Sequence, residues 1–178
     1  GEIRTVQVAQ VLMEAALSGH LVFSTLHTND SAGAVSRLLD LGVEPYLVSS
    51  SLIAIIAQRL VRRVCKNCRR PYKPTARELR ELGIDKDELG SDEGKFFIGA
   101  GCETCFQTGY RGRTGIYEIL LIGEDIQEMI YHRDTAGAIK KFALGKGMRT
   151  LRMDGARKAI EGVTSISEVL RVTQSDIM

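Results

Sequence analysis

Four cysteines fall in two CxxC pairs, CKNC at 65–68 and CETC at 102–105, and none is left over. A CxxC turn aims two thiolates at one point, so two such turns can close a tetrahedral four-thiolate shell. Zn²⁺ suits that shell best, while disulfide or redox pairs and an iron–sulfur cluster are the other chemistries open to these spacings. A zinc held by Cys65, Cys68, Cys102 and Cys105 would have no open coordination position, and so would be structural. The second candidate group is more diffuse. Glu2 and Arg4 stand in the opening GEIR, and Thr25 and His27 end the apolar stretch LVFSTLHTND. An acid beside an imidazole can orient water or contact phosphate, provided both sit at the carboxyl ends of neighbouring strands. His20 lies at the opposite end of that stretch and is expected to face away. His132 follows a tyrosine in an amphipathic segment and reads as surface or packing. No GxxxxGK(S/T) loop occurs in the sequence, so these residues include no phosphate cradle of that kind.

The elements that must position these groups can be read from periodicity. Thr5 is placed to cap a helix over 6–17, with Ala9, Leu12, Met13, Ala16 and Leu17 on one face and Gly19 as its stop. Residues 21–26 read as a buried strand, apolar without alternation. A second helix begins at Asn29 to Ser31 and ends at Gly42, and a third is predicted from Pro45 to about Arg63. This alternation implies part of an open α/β sheet. The character changes from Arg62 to Arg113: RRVCKNCRRPYK carries six basic residues in twelve, followed by a mixed-charge stretch at 76–95. That stretch reads as a short exposed helix and loop, in an insertion too polar to bury much apolar surface without its metal. A strand is expected at 114–123, then helices at 125–132, 134–145, 151–162 and 165–172, the last opened by a Ser165/Glu168 capping box.

Composition narrows the classes. With 178 residues, 44% of them hydrophobic, the chain can build a core. Its net charge of +2 is too small to argue for nucleic acid or membrane by itself. No uncharged run, Pro45 to Gln58 among them, reaches the ~18–20 apolar residues a membrane helix needs.

Three stretches together resemble the secretion and pilus-assembly ATPases, the motors of type II secretion and type IV pilus extension. GEIR with AALSGHLVFSTLHTNDSAGAVSRLLDLGVEP resembles the end of the family's Walker B segment and its histidine box. SSSLIAIIAQRLVRRVC resembles the helix leading into its metal subdomain, and CKNC with GCETCFQTGYRGRTGIYEIL its tetracysteine motif and following strand.

The resemblance implies an α/β fold: the C-terminal part of a RecA-like P-loop NTPase domain, with a tetracysteine zinc-binding insertion and a C-terminal helical subdomain. The corresponding segments are 1–61, 62–113 and 114–178. Glu2 then matches the Walker B glutamate that handles the attacking water and metal, with Arg4 in the same box. His27, with Thr25 and His20, matches the nucleotide side, and the four cysteines match the zinc ligands.

ATP and Mg²⁺ are implied for the full-length protein, as are a homohexamer and inner-membrane secretion or pilus platform proteins as partners. The location implied is the cytoplasmic face of that membrane. No nucleic acid is expected, although a basic zinc ribbon that binds nucleic acid and a membrane-platform docking module are the alternative readings. Thr5 stands where the family usually has Asp. The chain reads as a fragment beginning after the Walker A loop, and is expected not to hydrolyse ATP by itself.

Overall fold

The computed structural model describes residues 1–84 and 96–173. Eight α-helices, a 3-10 helix at Glu103–Cys105 and four strands are seen among them. Packing gathers the chain into two compact units, 1–57 with 118–148, and 58–117 with 149–178.

In the first unit, α1 (Val6–Leu17) starts at Thr5, whose side chain accepts from Val8 N–H, and buries Ala9 and Met13. The chain reverses through Gly19 at φ +96°, a conformation glycine adopts without Cβ strain. Helix α2 (Ser31–Asp40) is capped by Asp30, which accepts from Gly33 N–H at 2.8 Å. Helix α3 (Pro45–Ser51) opens with proline at its first position. These helices share one core with α5 (Glu124–Tyr131) and α6 (Ala136–Gly145), built on Val35, Leu38, Val48, Leu120, Ile130 and Ile139.

Two expectations in this region fail. The helix predicted to reach Arg63 stops at Ser51, and Ala54–Val64 is a strand, β1. The apolar spacing in LIAIIAQRLVRRV satisfies either period. The decision comes from β4 (Tyr110–Leu121), its hydrogen-bonded neighbour. Ile122 N–H donates to the Ile53 carbonyl at one end, and Cys65 N–H to the Gly109 carbonyl at the other, both at 2.9 Å, so the pair is antiparallel. Ser51 Oγ also donates to the Leu47 carbonyl at 2.6 Å, a local bond that competes with helix continuation.

The stretch 21–26 is not a buried strand. It makes a single parallel bridge, Thr25 to Glu2, and leaves Leu21 74% and Phe23 83% exposed. A strand is defined by its ladder, and among the described residues no further rung forms here.

The second unit holds the cysteines. Strand β2 (Arg69–Pro71) pairs antiparallel with β3 (Phe97–Gly99), with Arg70 opposite Ile98. Helix α4 (Ala76–Leu82) carries a full capping box between Thr75 and Glu78. Contrary to the expectation of a wholly exposed polar stretch, its Leu79 and Leu82 are buried. They pack with Phe96 and with Ala156, Ala159, Ile166 and Val169 of α7 (Leu151–Ile160) and α8 (Ile166–Val172). The remainder of the charged stretch, 85–95, lies outside the described residues. The four C-terminal helices stand where periodicity put them, α5 and α6 in one unit and α7 and α8 in the other. Among the described residues no helix is long and apolar enough to cross a membrane.

Candidate functional site

Glu2 and Thr25 are side by side in the parallel bridge, secured by Ile3 N–H donating to the Thr25 carbonyl at 2.9 Å. His27, two residues further on, reaches the same carboxylate. Its Nε2 lies 2.7 Å from Glu2 Oε1, while Arg4 donates to Glu2 Oε2 at 3.0 Å. The Arg4 hydrogen bond is the largest influence on Glu2 and holds its carboxyl below the usual range against partial desolvation; the charge of Arg4 and the His27 contact act in the same direction. The carboxylate is therefore ionised at neutral pH, and takes the imidazole's Nε2 proton as a hydrogen bond. A cleft of about 590 Å³ opens here, lined by Glu2, Ile3, Arg4, Leu26, His27 and Arg37. One acid, one imidazole and two guanidiniums at one mouth can bind a polyanion and polarise a water.

Of the residues expected on this side, Glu2, Arg4 and His27 meet. Thr25 contributes backbone pairing. His20 does not join them: its Nδ1 lies 3.0 Å from Ser18 Oγ and 3.2 Å from the Ala15 carbonyl, at the end of α1. Arg37 was not singled out from sequence. As the basic residue in the last turn of α2 it resembles an ordinary helix-end charge, and only the fold brings it to the cleft.

The four thiols converge in the second unit, with all Sγ atoms within 4.8 Å of one another. Cys65 and Cys102 are 3.9 Å apart, Cys68 and Cys105 3.8 Å, and Cys102 and Cys105 3.7 Å. A tetrahedron with metal–sulfur bonds of about 2.3 Å has edges of about 3.8 Å, so this donor set fits zinc. No two of the thiols are joined as a disulfide. Backbone N–H groups of Cys102 and Gly109 point at Cys105 Sγ, each at 3.3 Å. Burial pushes the Cys105 thiol up, but those N–H groups together with the Cys102 and Cys68 thiols outweigh it and bring it down to about 6. Cys68 is raised to about 11, first by burial and then by the neighbouring thiols.

Of the groups that could serve nucleic acid, Arg62, Arg69 and Tyr72 have partners within the chain. Arg62 donates to Glu168 at 2.6 Å and stacks over Tyr110, with the guanidinium 4.2 Å from the ring centroid. Arg69 lies over Phe97, and Tyr72 donates its hydroxyl to Glu78. Phe106 is exposed. Glu168 forms only half of the expected capping box. Ser165 accepts from its N–H, while its carboxylate, almost fully buried, goes to Arg62 and Arg171.

Comparison with known proteins shows the family and the fold. The family described as "Type II/IV secretion system protein" matches residues 1–171. The Type IV pilus assembly ATPase PilB of Thermus thermophilus is 47% identical over 173 residues, covering 97% of this chain and 19% of that protein. The Type II secretion system protein E of Aeromonas hydrophila is 46% identical over 176 residues, covering 99% of this chain and 34% of that protein. The solved pilus retraction motor PilT with bound ADP superposes with a TM-score of 0.62 at 20% identity, covering 99% of this chain and 39% of PilT. That likeness carries the fold, which is of the RecA-like traffic-ATPase type. The chain thus spans well under half the length of these relatives.

Proposed function

This chain belongs to the type II/IV secretion system protein family, and from that premise we propose that it is the C-terminal portion of a hexameric motor ATPase. The motor couples ATP hydrolysis to type II secretion or type IV pilus assembly. Residues 1–61 supply part of the nucleotide-binding core, 62–113 the cysteine module, and 114–178 the returning strand and terminal helices. Its partners are further copies of itself and inner-membrane platform proteins, at the cytoplasmic face of that membrane.

The observation that carries the reading is the 2.7 Å contact between Glu2 and His27 across the bridged segments. Glu2, ionised beside Arg4, orients the attacking water and accepts its proton. His27 exchanges its bond to Glu2 for a phosphate oxygen, and Arg4 and Arg37 offset phosphate charge at the cleft mouth. Mg²⁺, when bound with the nucleotide, neutralises charge on the phosphates, and Glu2 is the carboxylate in this chain that would face it. The phosphate-cradling loop is not among these 178 residues, so turnover is assigned to the longer protein and not to this chain by itself. The four cysteines hold a structural zinc that fixes the module around β2 and β3.

The test is ATP turnover by the full-length protein. Glu2→Gln should lower kcat by roughly 10²-fold or more, with nucleotide affinity kept. His27→Ala should lower kcat by a smaller factor. Wild-type kcat in Glu2→Gln overturns the assignment.

A further inference from the structure

The buried carboxylate of Glu118, in β4, is used by neither the cleft nor the cysteine site. It is 1% exposed, and its Oε1 accepts from Ser31 twice, from N–H at 2.9 Å and from Oγ at 2.5 Å. Ser31, the first residue of α2, is itself fully buried. Burying a carboxylate is costly, and the two bonds from Ser31 offset part of that cost. Capping is already supplied. Asp30 accepts from Gly33 N–H, and its second oxygen takes Lys140 Nζ of α6 at 3.2 Å. What Glu118 adds is location: it fixes where α2 begins relative to β4.

The segment that carries His27 runs between that point and the Glu2–Thr25 bridge. Thr25 is anchored by Ile3 N–H, and Thr28 Oγ1 donates to the Asp30 carbonyl at 3.1 Å. The imidazole, 85% exposed, takes its place from the backbone on either side and from Glu2. A buried anchor at Ser31 therefore limits the excursions of residues 27–30 in a way that solvent-exposed bonds do not.

We propose that Glu118 is a positioning residue for His27: through its two bonds to Ser31 it holds the start of α2, and thereby keeps the imidazole within reach of Glu2 at the cleft. A role in ATP turnover rests on the function proposed above; the positioning itself does not.

The test separates the two. His27 is one of three histidines in the chain, with His20 and His132 as internal references. Each is followed by site-resolved acylation with diethyl pyrocarbonate at neutral pH, in the full-length protein without nucleotide. Glu118→Ala should raise the His27 rate by roughly fivefold or more, since it removes both bonds to Ser31 and the net worth of one alone allows a population change of about that size. His20 and His132 should be unchanged. Glu118→Gln, which keeps an oxygen acceptor for Ser31, should restore the wild-type rate.

Should Glu118→Ala fail to fold, Ser31→Ala carries the test, since it removes the Oγ bond at a helical position where alanine is favoured. A smaller rise at His27 alone is then expected. An unchanged His27 rate overturns the proposal, as does an equal rise at all three histidines. ATP turnover is read in parallel. Normal turnover in His27→Ala refutes the function proposed for that residue, whatever the acylation rates show about Glu118.

Discussion

Replacing Gly109 with alanine would disturb the cysteine site without touching a ligand. Gly109 is buried with φ +76°, and a Cβ there would lie 2.6 Å from the Gly99 carbonyl oxygen and 3.0 Å from its carbon. Both are backbone atoms, so no rotamer change relieves the contact. The left-handed conformation alone costs an L side chain about 1–2 kcal/mol. To escape the clash the turn must move, and with it two bonds that Gly109 makes to the site. Its N–H points at Cys105 Sγ at 3.3 Å, and its carbonyl accepts from Cys65 N–H at 2.9 Å. Outer contacts of this sort are worth roughly 10–100-fold in metal affinity, and Gly109→Ala should weaken zinc binding by about that factor. The assay is competition against a chromophoric zinc chelator at fixed pH, with thermal unfolding measured alongside. Gly83 supplies the matched control: its φ is +73°, but a Cβ there meets nothing within 4 Å among the described residues. Gly83→Ala should therefore lose stability by the conformational cost alone and keep its zinc affinity. Wild-type affinity in Gly109→Ala would refute the reasoning, and so would an equal loss in Gly83→Ala.

The cysteine geometry also predicts one zinc per folded chain by elemental analysis, with strong chelators lowering the unfolding temperature. A finding of iron, or of no metal after purification without chelators, goes against it. At Glu168, burial pushes the carboxyl up, but hydrogen bonds from the Arg171 and Arg62 guanidiniums and from Arg62 N–H outweigh it and hold it well below its ordinary 4.5. Because the folded value is depressed, this contribution is complete above about pH 4.5 and is lost as pH falls toward the folded value. In that window the unfolded chain takes a proton that the native chain refuses, at about 1.4 kcal/mol per pH unit. Glu168→Gln should cost about 2 kcal/mol near neutrality, below the figure for a fully buried pair because Arg62 and Arg171 are 47% and 56% exposed and can be rehydrated. It should also flatten the acid limb of a urea-denaturation series; an unchanged limb refutes the assignment.

Local signals located much of this molecule. Thr5, Asp30, Pro45 and Ser165 mark helix starts with side chains or rings whose effect is confined to one turn, so α1, α2, α3 and α8 begin where their sequences say. The paired CxxC spacing was equally legible, because each pair needs only one turn to aim its thiols. What failed was whatever depended on a distant partner. LIAIIAQRLVRRV is a strand because β4 lies beside it, and Leu79 and Leu82 are buried because α7 and α8 cover them. The capping box at Ser165 is incomplete because Arg62, far off in sequence, draws the Glu168 carboxylate away.

The candidate site divides along the same line. The four cysteines were named from residue type and spacing, since paired thiols declare their chemistry in the sequence itself, while Glu2, Arg4 and His27 took their roles from the resemblance to the secretion and pilus-assembly ATPases. Their distances were not readable there: the 2.7 Å contact of Glu2 with His27 depends on a bridge between segments more than twenty residues apart. Arg37 and Glu118 carry no local mark at all, one being an ordinary helix-end base and the other an acid in an apolar strand. Amino-acid type determines what a side chain can do, and short-range sterics and capping determine which turns begin where. Long-range pairing and burial alone decide which of those groups meet, because they depend on free energies summed over residues that the chain brings together only when it folds.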